Sequence, residues 1–508
     1  MTGTSKIFGN RKKFCIKYEL IQDPDTDVSP LLSASWGKIE LWVAGRNLTR
    51  ALIRQEETTS AEVYLLPIAE WFVDNWDMIF HEERLPEQGA FPNASDWHIQ
   101  GIKKLSTSNP DFDERLKLRQ IWYKKHGLAS CLEGFQFPDL IFRRYENVME
   151  LSWDNFEQEQ LPSNVRLSEK SGNAYLDVDD VSVVIKDWCS DLIATIKTSF
   201  KTPCSLNYLE DKLHSLNKAD KFIDRLKILT GIDLDSLSLT EKNKKYLESC
   251  FTRSDHSSEE CGVIKNVSSP IVMFRSASPY ISEFDTNALL ELIQVQAADH
   301  NLEQQMIRMP KSPPISPEES TEEGYNLALD FRESLYEKYG VPEDEALLGV
   351  YDLESVILPE LGVHIEAIEL EDQSVQGAAI WQSGKIPQII LNSTNKSVYK
   401  PWVRRMIVAH ELAHLVLDGE GKGVSLISNP WAPYLIERRA NAFAVMLLAP
   451  DSVLVKSFKA TQNRLDNIFD MKEQLGVGVI SLCYHLENRG FIEYSERETI
   501  LESLDAEK

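Results

Sequence analysis

The chain has 508 residues, of which 43% are hydrophobic and 26% charged, and its formal net charge is -25. This length predicts roughly three domains, and the composition is that of a globular protein, which excludes a disordered chain or a fibre. The negative charge argues against nucleic-acid binding, because a surface that repels phosphates gains little from counterion release.

Cysteine usage and hydropathy predict a cytoplasmic protein that does not enter a membrane. The seven cysteines include no CxxC pair, and their odd number leaves one unpaired in any disulfide scheme, a pattern typical of reduced thiols. The first residues lack the apolar core of a signal peptide. The longest apolar run elsewhere, Ala442–Ala449, is far too short to span a bilayer.

Residues 1–160 are predicted to form a mixed α/β domain that senses a signal or selects the substrate. The segment WGKIELWVAG alternates as a strand does and ends at Gly45, whereas LPIAEWFVDNWDMIF has apolar residues at helical spacing. Because tryptophan contributes a large buried area, we interpret the tryptophans of this region as core. A recognition pocket is the alternative.

Residues 161–251 are predicted to form a helical segment. VDDVSVVIKDWCSDLIATIKTSF keeps apolar positions three and four apart, and DKFIDRLKILTGI repeats that pattern before a glycine stop. Residues 252–324 are predicted to be a linker and connecting helix, since TRSDHSSEECGVIKNVSS is polar and MPKSPPISPEESTEEG is rich in Pro, Ser and Glu. We expect the second of these stretches to be an extended or mobile connection.

Residues 325–508 have the most regular pattern and are predicted to form one domain. An amphipathic helix closes at Gly340, and YDLESVILPELGVHIEAIEL predicts a helix, a turn at Gly362 and a strand. VQGAAIWQSGKIPQIILN predicts a hairpin that turns at Ser383-Gly384. Its second strand, QIILN, is a candidate edge for binding an extended peptide.

The segment VAHELAHLV carries His410 and His414, four residues apart, with Glu411 directly after the first. On a helix, residues four apart project from the same face, so both imidazoles can bind one metal ion. Glu411 projects from an adjoining face, where it would serve as the general base for a metal-activated water. The same motif also occurs by chance, and the alternative is a helix with two partly buried histidines.

A second helix, APYLIERRANAFAVMLLAP, strengthens the metal hypothesis. Its Glu437, separated from His414 by 22 residues, offers the third protein ligand that a catalytic zinc needs. Asn441, one turn later, could accept a hydrogen bond from the non-ligating nitrogen of a histidine. The alternative is that Glu437 pairs on the surface with one of three arginines: Arg404, Arg405 or Arg438.

Together these two segments resemble the ImmA/IrrE-type zinc metallopeptidases of bacteria and their phages, within the broader gluzincin pattern. The shared residues are HExxH at 410–414 and ExxANxFAxxLLxP at 437–450. The resemblance covers roughly residues 325–490, and VRRMIVA before HExxH departs from the family by lacking an aromatic residue. It implies an α+β protein with a C-terminal zincin-like metallopeptidase domain, in which a small sheet accompanies the active-site helices.

The resemblance implies a zinc-dependent endopeptidase that performs limited proteolysis of a specific regulatory protein, such as a helix-turn-helix repressor, in a stress, phage or defence response. In this interpretation His410, His414 and Glu437 hold Zn²⁺, Glu411 is the catalytic base and Asn441 orients a liganding histidine. For the oxyanion of the tetrahedral intermediate the sequence offers two candidate donors, with packing as the alternative for each: Tyr434 and His485.

Two other functions remain open. The chain could be a non-catalytic zinc-containing protein that binds and sequesters a regulator, although such a scaffold has no need of Glu411. It could instead be a DNA-binding regulator that uses MKEQLGVGVISLCYHLENRGFI, a segment with helix-turn-helix rhythm but few basic residues. The acidic balance argues against this second function, and we expect the segment to serve packing.

Overall fold

The structure is a computed structural model, and the chain forms two compact units, residues 1–232 with 253–267 and residues 233–252 with 268–508. Much of the linker expected between Thr252 and Ser269 lies outside the described residues. The residues that the structure describes are 4–87, 89, 91–104, 112–131, 133, 137–146, 148–154, 165–199, 206–216, 222–232, 237–253, 261–265, 269–297, 306–310, 316–382, 384–418, 423–458 and 464–506.

Three antiparallel sheets make up the β structure of the first unit. Its strands are β1 Lys6–Gly9, β2 Phe14–Leu20, β3 Trp36–Val43, β4 Arg46–Asn47, β5 Ala51–Ile53, β6 Glu56–Thr58, β7 Ala61–Tyr64, β8 Asp139–Tyr145, β9 Val148–Asp154, β10 Val165–Leu167 and β11 Gly172–Asp177. The largest sheet has the order β1-β2-β3-β4, with β7 paired to β3, and the smaller ones have the orders β10-β5-β6 and β11-β9-β8.

Helices of the first unit pack on these sheets and on one another. They are α1 Pro30–Ser33, α2 Leu65–Asp74, α3 Trp76–His81, α4 Ala94–Lys104, α5 Phe112–His126, α6 Val178–Ser199, α7 Asn207–Ser215 and α8 Phe222–Thr230, with a 3₁₀ turn at Leu128–Ser130. The helix expected within LPIAEWFVDNWDMIF is two helices, because the chain breaks at Asn75. Trp71 and Trp76 belong to the hydrophobic core, as expected, whereas Trp36 and Trp42 are half-buried.

The second unit contains the candidate site. Its helices are α9 Glu241–Arg253, α10 Ser269–Ser276, α11 Glu283–Val295, α12 Pro317–Tyr339, α13 Leu358–Glu360, α14 Pro401–Leu417, α15 Tyr434–Leu448, α16 Asp451–Ser457, α17 Arg464–Leu475, α18 Val479–Asn488 and α19 Tyr494–Ala506. Shorter turns lie at Gly349–Tyr351, Leu353–Ile357 and Lys396–Tyr399. The strands are β12 His364–Ile368, β13 Gly377–Gln382, β14 Gln388–Asn392 and β15 Gly423–Ser428.

One four-stranded sheet, in the order β12-β14-β13-β15, supports the candidate site. The expected hairpin is confirmed, because β13 and β14 are antiparallel and Ala379 pairs with Ile389. β14 also pairs with β12 in parallel, so the expectation that QIILN offers a free edge is wrong. Strand β15, which sequence reasoning misses, pairs with the other side of β13 and forms the edge of the sheet near the site.

The helix α12 begins earlier than the sequence analysis expects. Residues 317–324, assigned there to an extended or mobile connection, form its first turns. The Ser316 hydroxyl accepts a hydrogen bond from the Glu319 N–H at 3.0 Å, and Pro317 occupies the first turn. A serine cap, an early proline and acidic residues near the start are together a helix-initiating pattern. The Pro, Ser and Glu content of this stretch therefore marks the start of a helix.

Close packing between α12 and α15 shapes the second unit. A Cβ atom on Gly324 would lie 2.4 Å from the carbonyl oxygen of Arg439, so only glycine permits this approach of the two helices. The C-terminal helices α17 and α18 bury Met471, Leu475 and Leu482 in the same core. This is the packing role that the sequence analysis favours for the segment with helix-turn-helix rhythm.

No single helix among the described residues has both the length and the apolar composition to cross a bilayer. The helices α15 and α16 meet that test only as a pair, across a bend of 53°.

Candidate metal centre

Helix α14 positions the first two candidate ligands. Pro401 lies in its first turn, where an absent N–H costs nothing, and every residue from Ile407 to Leu417 is buried. The apolar run around the motif therefore reflects a helix enclosed inside the unit. His410 is 7% exposed and His414 is fully buried, and their Nε2 atoms lie 3.0 Å apart.

Helix α15 brings a carboxylate to these two nitrogens. Glu437 Oε2 lies 3.1 Å from His410 Nε2, and Oε1 lies 3.3 Å from His414 Nε2. The three side chains form the one group of His, Cys, Asp or Glu residues in the described part of the chain that could hold a metal ion. The arginines considered as alternative partners bind other groups: Arg404 pairs with Glu354, Arg405 with Asp352, and Arg438 donates to Thr321.

The chemistry of this donor set fits zinc. Tetrahedral bonds of about 2.0–2.1 Å place ligand atoms about 3.3 Å apart, close to the separations between the three side chains. Glu437 Oε1 is buried and has no hydrogen-bond partner of acceptable geometry among the described residues, and a bound cation would relieve that cost. Two imidazoles and one carboxylate leave a fourth position open, which is the arrangement of catalytic zinc sites.

Electrostatic coupling within the cluster shifts the pKa of two of its groups. Burial by itself raises the pKa of Glu437, but the neighbouring His410 and His414 lower it to about 2. Burial lowers the pKa of His414, but the carboxylates of Glu437 and Asp418 outweigh it and hold that pKa well above its ordinary value. The cluster therefore favours positive charge between the imidazoles and the carboxylate, which is the charge that a metal ion would provide.

The second nitrogen of each imidazole is also engaged. His410 Nδ1 lies 3.1 Å from Asn441 Oδ1, and His414 Nδ1 lies 2.6 Å from Asp418 Oδ2. With Nδ1 as the donor in both contacts, each Nε2 keeps its lone pair for a metal. Sequence reasoning misses Asp418, although its position four residues after His414 on the same helix is a usable signal.

Glu411 lies next to the cluster, against the strands β13 and β15. It is fully buried, and neither carboxylate oxygen makes a hydrogen bond of acceptable geometry among the described residues. Burial raises its pKa, an effect that His410 and His414 oppose. Gly377 makes room for the side chain, and Gly377 pairs across the sheet with Ser428. Residues opposite each other on paired strands share a face, so Gly377 and Ser428 both lie toward Glu411.

Comparison with known families identifies the part of the chain that carries this cluster. Residues 359–487 match the family model of Peptidase_M78, described as the IrrE N-terminal-like domain. This segment is an ImmA/IrrE-type domain. The match includes both helices of the cluster, and it confirms the resemblance seen in the sequence. No curated protein matches the chain.

A cavity of about 280 Å³ opens beside the cluster of the ImmA/IrrE-type domain. One part of its lining consists of His410, Glu411, Glu437 and Asn441. Another part comes from Ser374 and Gln376 in the loop before β13, and from Ser428, the last residue of β15, with residues 429–430 that follow it. The three candidate ligands and the candidate base therefore border space that a substrate segment could enter.

Neither candidate oxyanion donor lines this cavity of the ImmA/IrrE-type domain. His485 is 1% exposed, its ring nitrogens contact the Ala449 carbonyl at 2.8 Å and the Tyr325 hydroxyl at 3.3 Å, and burial lowers its pKa to about 4. The Tyr434 hydroxyl accepts a hydrogen bond from Arg438. His485 is held within the core, which argues against that candidate. Tyr434 lies outside the cavity lining, and its role as an oxyanion donor stays a prediction.

At Ile427, the edge strand of the ImmA/IrrE-type domain is paired with residues of the same unit. The Ile427 N–H donates to the Ser276 hydroxyl at 3.0 Å, and the Ile427 carbonyl accepts from Asn429 Nδ2 at 3.1 Å. Asn429 Nδ2 also donates to the Ser276 carbonyl at 2.6 Å. Both main-chain groups of Ile427 are thus paired through side chains.

Proposed function

We propose that this chain is a zinc-dependent endopeptidase that performs limited proteolysis of a specific intracellular regulatory protein. A helix-turn-helix repressor is the kind of substrate expected, in a stress, phage or defence response. The observation that carries the proposal is the convergence of His410, His414 and Glu437 beside a buried glutamate at a cavity. The match to a peptidase family supports it.

The proposed chemistry assigns a separate task to each side chain. His410, His414 and Glu437 would hold zinc in a zincin-like site, and the bound ion supplies Lewis acidity that activates water and polarises a peptide carbonyl. Glu411 takes the proton of the attacking water and passes it to the leaving amine. The buried position of Glu411 supports this role, because a raised pKa brings a carboxylate closer to the range in which it can both accept and release a proton.

Size and lining of the cavity favour a short extended segment as the substrate. A cavity of about 280 Å³ is slightly smaller than typical ligand pockets, and a folded domain cannot enter it. A regulator would therefore present a loop, a linker or a locally unfolded stretch. Such a requirement restricts cleavage to few positions, which is consistent with limited proteolysis.

The alternative function is that of a non-catalytic zinc-containing protein that binds and sequesters a regulator. Such a protein would need the three ligands but no carboxylate beside them. Burying the Glu411 carboxylate without a hydrogen bond of acceptable geometry among the described residues has a cost to stability. Retaining a residue with that cost is consistent with a catalytic role, and it favours the peptidase.

A paired incubation tests the proposal. The zinc-loaded chain and its Glu411→Gln variant would each be mixed with candidate helix-turn-helix regulators encoded by neighbouring genes, and new peptide termini would be identified by mass spectrometry. We expect one or a few defined termini with the unaltered chain and none with the variant. A stable complex that forms without new termini in either mixture would instead support sequestration.

A further inference from the structure

Three side chains extend from His414 toward the start of α12. Asp418, which contacts His414 Nδ1 through Oδ2, accepts a charged hydrogen bond from Arg439 Nη2 through its other oxygen, Oδ1. Arg439 Nη1 in turn donates to Glu323 Oε2 at 3.1 Å. The chain of contacts therefore runs from His414 through Asp418 and Arg439 to Glu323.

Burial makes these contacts more than surface ion pairs. The Asp418 side chain is 8% exposed and that of Arg439 is 1% exposed. Exposed pairs contribute little to stability, whereas breaking a buried pair leaves an uncompensated charge. The guanidinium is planar and its donors have fixed directions, so Arg439 restricts where the Asp418 carboxylate can lie. Asp418 in turn fixes the plane of the His414 ring.

Arg439 also links the two helices that supply the ligands. It lies two residues after Glu437 on α15, while Asp418 directly follows α14, which carries His410 and His414. A shift of α15 relative to α14 would therefore move Glu437 and the Arg439 contact with Asp418 together. The position of Glu437 is coupled in this way to the orientation of the His414 ring.

Glu323 brings a third helix into this arrangement. It lies in the early turns of α12, outside the segment 359–487 that matches the family. The next residue, Gly324, is the point where α12 approaches the Arg439 carbonyl too closely for any Cβ atom. The start of α12 therefore touches Arg439 from two directions, through the Glu323 carboxylate and through helix packing.

We propose that Asp418, Arg439 and Glu323 are positioning residues for the metal site, and that the start of α12 thereby sets its affinity for zinc. This inference rests on the zinc ligands assigned in the proposed function, but it does not require that the chain cleaves peptides. Metal affinity is consequently the quantity to measure, since catalytic activity would not separate the two proposals.

The test compares zinc affinity, measured by competition with a fluorescent chelator, in the unaltered chain and in single variants. Asp418→Asn keeps the size of the side chain but loses its charge, and we expect it to weaken zinc binding by about 10–100-fold. Glu323→Gln acts one contact further away, and we expect a smaller loss of about 3–10-fold. The matched control is Glu322→Gln, an exposed neighbour, which should leave zinc affinity unchanged.

Two further measurements separate positioning from general destabilisation. Visible absorption of the cobalt-substituted protein reports ligand geometry and should change in Asp418→Asn, while the melting temperature of the metal-free protein reports folding. Arg439→Lys keeps the buried charge but removes the planar guanidinium group. We expect this variant to fold and to bind zinc more weakly than the unaltered chain does. Glu323 is 28% exposed, so its variant should fold even if Arg439 variants do not.

The outcomes are distinct. Unchanged zinc affinity in both Asp418→Asn and Glu323→Gln, with normal binding by the unaltered chain, would overturn this inference alone. An unaltered chain that binds no zinc would overturn the metal site and this inference together. Weakened zinc binding in the variants of a chain that cleaves no regulator would support the inference and contradict the proposed peptidase function.

Discussion

Gly377 lies directly against Glu411: a Cβ atom on this glycine would be 2.8 Å from Glu411 Oε1 and 3.1 Å from its Cγ. The contact joins the first residue of β13 to α14, the helix that carries the candidate ligands His410 and His414. A side chain at position 377 and the observed position of the candidate base are therefore incompatible.

Replacing Gly377 by alanine should displace Glu411 and leave the metal ligands in place. We expect cleavage to fall by about 10–100-fold, since a shift of about 1 Å in a reacting group has effects of this order, while zinc content stays at the level of the unaltered chain. Cleavage kinetics and elemental analysis would measure the two effects. The matched control is Gly478→Ala, because a Cβ atom there makes only an ordinary 3.6 Å contact with Trp402. Equal cleavage by both variants would contradict this role of Gly377.

Glu411→Gln should separate metal binding from chemistry. Glutamine has nearly the same shape but cannot accept a proton, and the carboxylate it replaces makes no hydrogen bond of acceptable geometry among the described residues. We expect full zinc content, a melting temperature close to that of the unaltered chain, and a loss of cleavage by several orders of magnitude. Undiminished cleavage of a confirmed substrate would rule out Glu411 as the base.

Zinc should stabilise the folded chain, and His410→Ala should abolish this effect. A ligand that binds only the folded state adds about 2.7 kcal/mol of stability at a free concentration one hundred times its dissociation constant. Thermal unfolding with zinc and with a chelator would show the difference in the unaltered chain and little or none in the variant. Retention of a full complement of zinc by His410→Ala would refute the assigned ligands.

His485 should affect acid stability and leave the metal site unchanged. Its pKa is about 4 in the folded chain and near 6.5 in the unfolded chain. The unfolded state therefore binds a proton that the folded state excludes, and stability falls as pH drops from about 6.5 to about 4. In zinc-free protein, His485→Gln should reduce the stability lost between pH 7 and pH 5 by about 2 kcal/mol. Urea unfolding at both pH values measures this, and an equal loss in both proteins would contradict it.

A fragment of residues 325–508 should be less stable than one of residues 268–508. The longer fragment keeps Ser276, which closes β15, and Asp285, a buried carboxylate that accepts hydrogen bonds from the Glu371 and Asp372 N–H groups at 2.7 and 3.0 Å. It also keeps the start of α12. We expect the longer fragment to be soluble and to bind zinc, and the shorter one to melt at a lower temperature or to be insoluble. Equal melting temperatures would show that residues 268–324 are dispensable.

Local sequence patterns predict much of the ImmA/IrrE-type domain. The hairpin of β13 and β14 and the helices that carry His410 and Glu437 follow from periodicity, because each pattern is complete within a short segment. The type and spacing of the candidate ligands also follow from the sequence, since metal binding restricts both the residue types and the distances between them along a helix.

Contacts between distant segments could not be predicted in the same way. The bonds from Ser276 to Ile427 and from Glu323 to Arg439 join residues that the sequence separates widely. The position of His485 is a further example, because a histidine pattern does not show whether the ring meets a cavity or a carbonyl oxygen of the core. The early start of α12, by contrast, follows from local sequence order, because Ser316 caps the helix and Pro317 occupies its first turn.

The pairing of Ile427 with Ser276 and Asn429 opposes the addition of a further strand to the sheet at β15. Any extended chain that aligns with β15 at this residue must first displace both hydrogen bonds. At about 0.5–1.5 kcal/mol for each, the displacement costs about 1–3 kcal/mol. That cost lowers the affinity of such a chain for β15 by a factor of about 5 to 150. Unfolded polypeptides in general should therefore bind this edge weakly. Only a partner with additional contacts elsewhere would occupy this edge at low concentration.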